Sequence, residues 1–490
     1  MNNLFRVKGI DAIIAESHSG NKLKRSLSTG NLVALGIGAV IGTGIFVLTG
    51  TAAANYAGPA LTLSFVISAI GCIMAGLCYA EFAAMIPVAG SAYSYSYATL
   101  GEFIAWLIGW DLILEYLFAA STVSVGWSGY MVSFLADWGL QLPSALTSAP
   151  FDYVHGQGWV FTGHLLNLPA MFVIALFSLL LLGGIRRSAI LNNIIVVTKI
   201  IVILLFIIFG ISYIDTGNYT PFIPENTGSF GFFGWSGILR GAGVIFFAYI
   251  GFDAVSTAAQ EARNPQKSMP IGILYSLLIC MVLYILVTIV LTGMVNYKEL
   301  NVPAPIAYAI DRAGEALFWL RPFIKVGAIA GLSSVILVLL LGQSRIFFIM
   351  SKDGLLPPLF SRINTRYGTP HYSTLFTGLS CCIIAGLLPI NVLGELVSIG
   401  TLMAFVLVCT SIIVLRRTRP DVKRPFRTPL VPFVPLLGIL ICLGQMLALP
   451  LDTWMRLFSW MAVGLICYFL YGRKHSLLNK QDSEQVMKKE

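Results

Sequence analysis

The amino-acid sequence predicts an all-α, polytopic membrane protein with twelve transmembrane helices. Only 11% of its 490 residues are charged and 57% are hydrophobic, whereas soluble domains carry about 25% charged residues. Apolar runs of about 20 residues recur along the chain, and a run of this length can cross a bilayer. Glycines interrupt two of the runs at matching places. The predicted spans 1 to 12 are 31–55, 60–86, 103–135, 166–184, 189–213, 235–259, 270–295, 322–349, 371–389, 392–415, 429–449 and 454–472.

Basic residues are distributed unevenly between the two predicted sides of the membrane. With a cytoplasmic N-terminus, most of the 31 Lys and Arg residues fall on the cytoplasmic side, as in 22–25, 186–187 and 416–427. The outer segments 136–165 and 214–234 contain none. Because cytoplasmic loops are enriched in Lys and Arg, this asymmetry predicts a multi-pass plasma-membrane protein with both termini in the cytoplasm. The net charge of +9 therefore reflects topology and does not indicate a nucleic-acid partner.

The sequence does not favour an enzyme. All eight cysteines fall within predicted spans without metal-ligand spacing, and the five histidines lie in loops, tails or at span edges. A membrane-embedded enzyme would need a nucleophile with its base, or a cluster of metal ligands, at depth in the membrane. We therefore expect no catalytic residues, no metal and no cofactor.

Span 1 contains the first interruption, GIGAVIGTGIF at 36–46. Glycine destabilises a helix by about 1 kcal/mol per position relative to alanine. Gly42 lies about 17 Å along the span at 1.5 Å per residue, near the middle of a hydrocarbon core about 30 Å thick. Unwound backbone at that depth is tolerated only where protein covers it or where it lines a cavity. The alternative is that Gly38 and Gly42 form a close-packing face between helices.

Span 6 contains the matching interruption, GVIFFAYIGFDAVS at 243–256. Two interrupted spans in corresponding positions favour a binding site between inverted repeats over simple packing. The predicted organisation is a cytoplasmic tail at 1–30, a first five-helix repeat at 31–213, a second at 235–415, two additional helices within 429–472, and a cytoplasmic tail at 473–490.

Four ionisable residues lie deep within spans, where such residues are costly and usually functional. Span 3 carries Asp111 and Glu115 on one helix face, span 5 carries Lys199, and span 6 carries Asp253. Glu115 and Lys199 lie at similar depths, so an ion pair between them is geometrically allowed. The alternative is a static buried pair that only fixes helix packing. Three further charges lie nearer span ends, where snorkelling to the interface is the favoured interpretation: Glu81, Arg240 and Lys325.

Three stretches resemble the amino acid–polyamine–organocation transporters, and most closely the bacterial branch related to cationic amino acid transporters. They are GIGAVIGTGIF (36–46), SAILNNIIVVTK (188–199) and FFAYIGFDAVSTAAQEARNPQKSMP (246–270). The resemblance implies a fold similar to that of the sodium-coupled leucine transporter, with a five-plus-five inverted repeat and two extra helices. It also implies secondary transport, by proton-coupled symport or by exchange.

The resemblance implies which residues bind an amino acid substrate. The half-helix after the span 1 break would offer the N–H groups of Thr43, Gly44 and Ile45 to the substrate carboxylate, since a helix N-terminus favours anions. The substrate ammonium group would be bound by backbone carbonyls on both sides of the two breaks. These belong to Val40, Phe247 and Ile250, with Ala248 in the same binding segment and the Phe247 ring as the gate.

The resemblance also implies proton coupling. Lys199 occupies the position where proton-coupled relatives carry a lysine, and Asp253 occupies the family's acidic position after the span 6 break. In sodium-coupled relatives a sodium ion lies nearby, bound by span 1 carbonyls and two span 8 hydroxyls. Ser333 and Ser334 supply such hydroxyls here, but an ammonium group at this place would disfavour a second cation. Lys199, Glu115 and Asp253 are therefore the expected proton-coupling residues.

The sequence thus predicts a proton-coupled amino acid permease that moves amino acids by alternating access, with a broad and neutral-preferring range. The alternatives are an amino acid exchanger, a cationic amino acid transporter or, in a different class, a non-transporting amino acid sensor. The expected partners are the amino acid, protons and the lipid bilayer, and a small single-span accessory subunit stays an open question.

Overall fold

The computed structural model describes residues 6–9, 13, 27–88, 90–154, 157–183, 188–259, 262–364 and 368–479, with side chains at 188–192 and 257 outside the description. The basic clusters at 22–25 and 186–187 and most of the two predicted tails also lie outside the described residues.

The described chain is mostly helical. Within it, eight helical stretches are long and apolar enough to cross a membrane, and the first of them, Thr29–Met85, contains both span 1 and span 2. Three shorter apolar helices coincide with spans 4, 9 and 11. The prediction of a polytopic α-helical membrane protein is therefore confirmed.

Helices occupy the predicted spans with closely similar bounds. In span order they are Thr29–Val40 (first half of span 1), Leu61–Met85, Glu102–Asp137, Leu168–Leu182, Ser188–Gly210, Gly234–Ile245 (first half of span 6), Pro265–Met294, Leu320–Lys352, His371–Leu387, Ile390–Thr418, Phe433–Ala448 and Leu451–Cys467.

Spans 1 and 6 are interrupted where the glycine pattern predicts. In span 1 the α-helix ends at Val40, Ile41 adopts an extended conformation, and a π-helical turn at Gly44–Leu48 resumes the span. In span 6 a 3₁₀ turn at Phe246–Tyr249 is followed by extended backbone at Ile250. The next residue, Gly251, has a φ of +114°, a conformation that favours glycine.

The two breaks contact each other through glycines. A Cβ atom at Gly44 would overlap the backbone of Ala248, and one at Gly251 would lie 2.8 Å from the carbonyl of Ala39. Any side chain at these positions would push the two spans apart. The glycines therefore allow the unwound segments of spans 1 and 6 to approach at backbone distance.

The remaining spans pack around this pair. Span 7 packs against spans 1 and 2, and span 2 packs against span 6. Span 3 packs against spans 8 and 10, and span 8 also contacts span 5. The two broken spans are thus enclosed by protein, as unwound backbone in a bilayer requires.

The described ends of the chain meet on one side of the helix bundle, here named the terminal face. The Arg6 guanidinium donates to the Asn479 amide oxygen at 2.9 Å, and Lys8 pairs with Asp353 at 2.8 Å. The other side, named the opposite face, carries an antiparallel hairpin of strands β1 (Phe151–Val154) and β2 (Gly158–Phe161).

The snorkelling interpretation of Glu81 is wrong. Its side chain is fully buried and accepts two hydrogen bonds from Arg416, at 3.2 and 2.7 Å. Arg424 forms a second ion pair at 3.3 Å, and the backbone N–H of Thr428 donates at 2.7 Å. This carboxylate fastens span 2 to the loop that follows span 10.

The interpretation is also wrong for the other two charges. Lys325 is fully buried and pairs with Asp137 at 2.6 Å, which joins span 8 to span 3. Arg240 is 7% exposed and donates to the carbonyl of Ala448 at 3.2 Å. These two charged side chains are therefore stabilised by partners within the protein and not by the membrane–water interface.

We expect Glu81→Ala to lower the free energy of unfolding by about 3–5 kcal/mol, because removing one partner leaves buried charge uncompensated. Thermal unfolding of the purified protein in detergent measures the change. Asp421→Ala is the control, since Asp421 forms an exposed pair with Arg419 at 3.8 Å and such pairs contribute little. Equal unfolding temperatures for the two variants would contradict a structural role for Glu81.

Candidate substrate and coupling site

The half-helix after the span 1 break begins with N–H groups that helix geometry leaves without intrahelical partners. Its N–H group at Phe46 bonds to the Gly42 carbonyl at 3.2 Å. The N–H groups of Thr43, Gly44 and Ile45 precede this bond, at the end of a helix where donors lack intrahelical partners. This end of the half-helix can therefore bind an anionic group.

Thr43 adds a buried hydroxyl to these donors. The residue is fully buried, and its Oγ1 has no hydrogen-bond partner within the described part of the chain. Buried hydroxyls are nearly always hydrogen-bonded, so this one is suited to a ligand. A glycine on span 3, Gly126, leaves room for the Thr43 side chain.

The predicted carbonyl ligands lie across the breaks from these donors. The Val40 carbonyl accepts from the Tyr284 hydroxyl at 2.8 Å, and the Phe247 carbonyl accepts from the Ile250 N–H at 3.2 Å. Each carbonyl has two lone pairs and can accept a second hydrogen bond. Phe247, Ala248 and Ile250 are all buried, and Ala248 lies against Gly44 of the span 1 break.

Lys199 binds the broken backbone of span 1. Its Nζ donates to the carbonyls of Gly38 at 2.7 Å and Ile41 at 2.9 Å, and the side chain is fully buried. The lysine stem passes Gly331 of span 8, where a Cβ would lie 2.9 Å from the lysine Cε. The Lys199 ammonium group therefore binds two backbone carbonyls that the break leaves without helical hydrogen-bond partners.

The hydroxyls of span 8 already have partners. Ser333 accepts from the indole N–H of Trp127 at 2.9 Å, and Ser334 donates to the Gly331 carbonyl at 2.9 Å. Gly331 in turn contacts the Lys199 stem. The Lys199 stem therefore packs against span 8 two to three residues before these serines.

Glu115 does not pair with Lys199 in the structure, where the ammonium group binds the span 1 carbonyls instead. Glu115 is buried beside two other carboxyl groups, Asp111 and Asp253, with which it interacts electrostatically. Both oxygens of Asp111 and one of Glu115 have no hydrogen-bond partner among the described residues. Asp253 accepts from the Tyr116 hydroxyl at 2.7 Å and from the Gly251 N–H at 3.2 Å.

These contacts give Asp253 a defined place. It joins the span 6 break to span 3 through hydrogen bonds, and its carboxyl group lies near that of Glu115. A buried group of three carboxyl groups is suited to hold exchangeable protons, because several adjacent negative charges in a low-dielectric interior repel one another. The two predicted acids therefore lie together, whereas the predicted base binds the span 1 carbonyls of Gly38 and Ile41.

Comparison with known proteins identifies the family. Residues 27–469 match the amino acid permease family. The chain belongs to that family. Since this match covers almost the whole chain, the resemblance to the amino acid–polyamine–organocation transporters is confirmed, and the protein is a transporter and not an enzyme.

Named relatives of this permease differ in their stated substrates. The methylthioribose transporter of Bacillus subtilis (strain 168) is 48% identical over 98% of this chain and 100% of its own length. The branched-chain amino acid permease BcaP of the same organism is 47% identical, and the match covers 98% of this chain and 99% of the relative. The vacuolar cationic amino acid transporter 4 of Arabidopsis thaliana is 39% identical, and the match covers 86% of this chain and 68% of the relative.

Sequence reasoning missed several residues of the candidate site. Tyr284 of span 7 binds the Val40 carbonyl, Tyr116 of span 3 binds Asp253, and Gly331 makes room for Lys199. The sequence did contain one signal for the two tyrosines. A tyrosine hydroxyl inside an apolar span usually forms a hydrogen bond when it is buried. That signal indicates a buried hydrogen bond but not its acceptor.

Proposed function

We propose that this permease moves amino acids across the plasma membrane by proton-coupled alternating access. The observation that carries the proposal is the pair of hydrogen bonds from Lys199 to the Gly38 and Ile41 carbonyls. They place a titratable group directly on the break that would bind substrate. A change in the charge of Lys199 would therefore alter the interactions of the unwound backbone of span 1.

The N–H donors at Thr43, Gly44 and Ile45 support binding of a substrate carboxylate. The carbonyls of Val40 and Phe247 support binding of the α-ammonium group, since each has acceptor capacity left. The Phe247 ring, 5% exposed, would close over the bound molecule. This pose uses only the groups common to all amino acids, which supports a broad substrate range.

The side-chain end of the substrate would face apolar residues. Ile45, Ala248 and Ile250 are buried around the breaks, which favours neutral and branched-chain amino acids, in agreement with the name of the 47% identical relative. Cationic amino acids are the alternative, given the relatives named for them. An acid to hold a cationic side chain would have to come from Asp253, which is already bound by Tyr116, or from Glu115 beside it.

Methylthioribose is a second candidate substrate because a 48% identical relative is named for it. This thio-sugar carries neither a carboxylate nor an ammonium group. The free N–H donors at a helix terminus favour an anion, which supports the amino acid. Competition of unlabelled methylthioribose against labelled leucine uptake tests this choice directly.

Proton coupling is favoured over sodium coupling by the same lysine. A sodium ion near the span 1 carbonyls would lie beside the Lys199 ammonium group, and like charges in a low-dielectric interior repel strongly. The hydroxyls of Ser333 and Ser334 are also engaged in other hydrogen bonds.

The proposed topology has twelve spans, with repeats at 31–213 and 235–415, two further helices within 429–472, and tails at 1–30 and 473–490 in the cytoplasm. Two findings support it. The described ends of the chain meet on one face, as an even number of crossings requires. The loop at 419–428, which is rich in arginine and lysine, follows span 10 where positive charge is expected inside.

Uptake into proteoliposomes tests the proposal. We expect labelled leucine to accumulate in empty vesicles when the outside is made acidic, and to stop when a protonophore collapses the gradient. An obligate exchanger would need internal amino acid and would ignore the gradient. A sensor would bind leucine without any uptake, and that result would contradict the proposal.

Phe247→Ala is expected to reduce uptake by about tenfold, as for truncation of a buried aromatic anchor, because the ring that closes the site is lost. Phe247→Trp, which keeps an aromatic ring, should retain more activity. Initial uptake rates at matched protein levels provide the measurement. Equal rates for the alanine and tryptophan variants would show that Phe247 is a wall residue and not a gate.

A further inference from the structure

We propose that a groove on the opposite face binds one glycerophospholipid, with its phosphate on Arg456 and an acyl chain along the groove. The groove has a volume of about 670 Å³ and lies between spans 3, 10 and 12 beneath the hairpin. It is separate from the substrate breaks, and the proposal is independent of the proposed function.

The groove has the shape of an acyl-chain site. Its floor is formed by the buried side chains of Leu114 and Leu396, and Phe118 and Trp460 form half-buried walls. Leu114 and Leu396 belong to a small apolar cluster that is separate from the main core, and Phe118 and Trp460 pack against it. Its rim at Val463 is 49% exposed, so the groove opens sideways toward the lipid.

The length of the groove matches one leaflet. Span 12 begins at Leu451, so Arg456 lies about 8 Å along the helix at 1.5 Å per residue. Val463 lies about 10 Å further along the same helix. One leaflet contributes about half of a hydrocarbon core that is about 30 Å thick. The groove therefore runs from the membrane surface to near the bilayer centre.

Exposed tryptophans mark the depth of its polar end. Trp159 of the hairpin is 51% exposed and lies 5.8 Å from the Arg456 guanidinium. Trp138, which follows span 3 on the same face, is 74% exposed. Tryptophan is enriched at the level of lipid headgroups, so Arg456 lies where a phosphate would be.

Arg456 has donors available for that phosphate. The ring of Tyr153 covers the guanidinium at 4.5 Å. Its Nη1 and Nη2 atoms are buried and have no hydrogen-bond partner within the described chain. Arg456 also forms an ion pair with Glu395 at 3.6 Å, and the Glu395 carboxylate accepts a hydrogen bond from Thr453 at 2.7 Å. A phosphate would satisfy both nitrogens with charge-assisted hydrogen bonds.

Native mass spectrometry of the delipidated full-length protein tests the proposal, with phosphatidylglycerol as the probe. Diacylglycerol with the same chains tests the role of the phosphate. We expect phosphatidylglycerol to bind more tightly, and Arg456→Gln to weaken it by about tenfold, the effect of losing a hydrogen bond to a charged group. Diacylglycerol binding should not change in that variant.

Ser459→Trp fills the groove without altering its charge, because Ser459 lines the groove and is exposed. It should weaken binding of both lipids. Arg312→Gln is the control, since Arg312 is an exposed arginine of the short helix Pro305–Arg312, and it should bind lipid as the wild type does. Unchanged phosphatidylglycerol affinity in Arg456→Gln, or in Ser459→Trp, would overturn the assignment, as would equal wild-type affinities for the two lipids.

Discussion

Gly44→Ala is expected to lower amino acid affinity by about 10- to 100-fold, the effect of overpacking by 1–3 kcal/mol, while the protein still inserts and folds. The reason is the contact between the two breaks. A Cβ atom at Gly44 would overlap the backbone of Ala248, so the half-helix of span 1 must move away from span 6. The carboxylate donors and the ammonium acceptors would then no longer face one molecule at the required distance.

Gly42→Ala is the matched control, two residues away in the same break. A Cβ atom at Gly42 would meet the Val335 side chain at 3.4 Å, an ordinary van der Waals contact. This variant should therefore keep most of the affinity. Scintillation-proximity binding of labelled leucine to both purified variants provides the measurement. Equal affinities would show that the glycines are ordinary packing residues and that the close approach does not matter for binding.

The contrast between these two glycines shows the limit of sequence reasoning. Both belong to one motif, GIGAVIGTGIF, and the pattern predicts the break because helix propensity and membrane depth are local properties. Which glycine touches span 6 depends on the rotation of one half-helix against the other. That rotation is set by packing between segments about 200 residues apart, so no local rule supplies it.

The charged residues show the same division. Depth in the span identified Lys199, Glu115 and Asp253 as candidates, and the structure places Glu115 and Asp253 together. The partner of Lys199 could not be predicted, because a backbone carbonyl released by a break has no signature in residue type. The interpretation of Glu81 and Lys325 failed for a related reason. A position near a span end suggests the interface, but Arg416 and Asp137 reach these side chains from distant parts of the chain.

Lys199→Ala is expected to abolish the pH dependence of uptake while leaving some substrate binding. In the wild type the lysine holds the Gly38 and Ile41 carbonyls. Proton gain or loss at this nitrogen would therefore change the strength of these hydrogen bonds. Protonation would in this way be coupled to movement of the first half of span 1. A pH difference of one unit corresponds to about 1.4 kcal/mol per proton, so the wild type should accumulate leucine about tenfold under that gradient. The alanine variant should only equilibrate leucine across the membrane.

The measurement is proteoliposome uptake over a series of external pH values at matched protein levels, with unfolding temperatures recorded for both proteins. A lysine that only fixes helix packing predicts another result: a lower unfolding temperature, with unchanged pH dependence in the protein that survives. Ser333→Ala and Ser334→Ala serve as controls, since neither hydroxyl contacts substrate or proton in this mechanism. Sodium is expected to leave wild-type uptake unchanged, because the Lys199 ammonium group would repel a second cation beside the same carbonyls. Stimulation by sodium, lost in the two serine variants, would refute proton coupling and assign those hydroxyls to an ion.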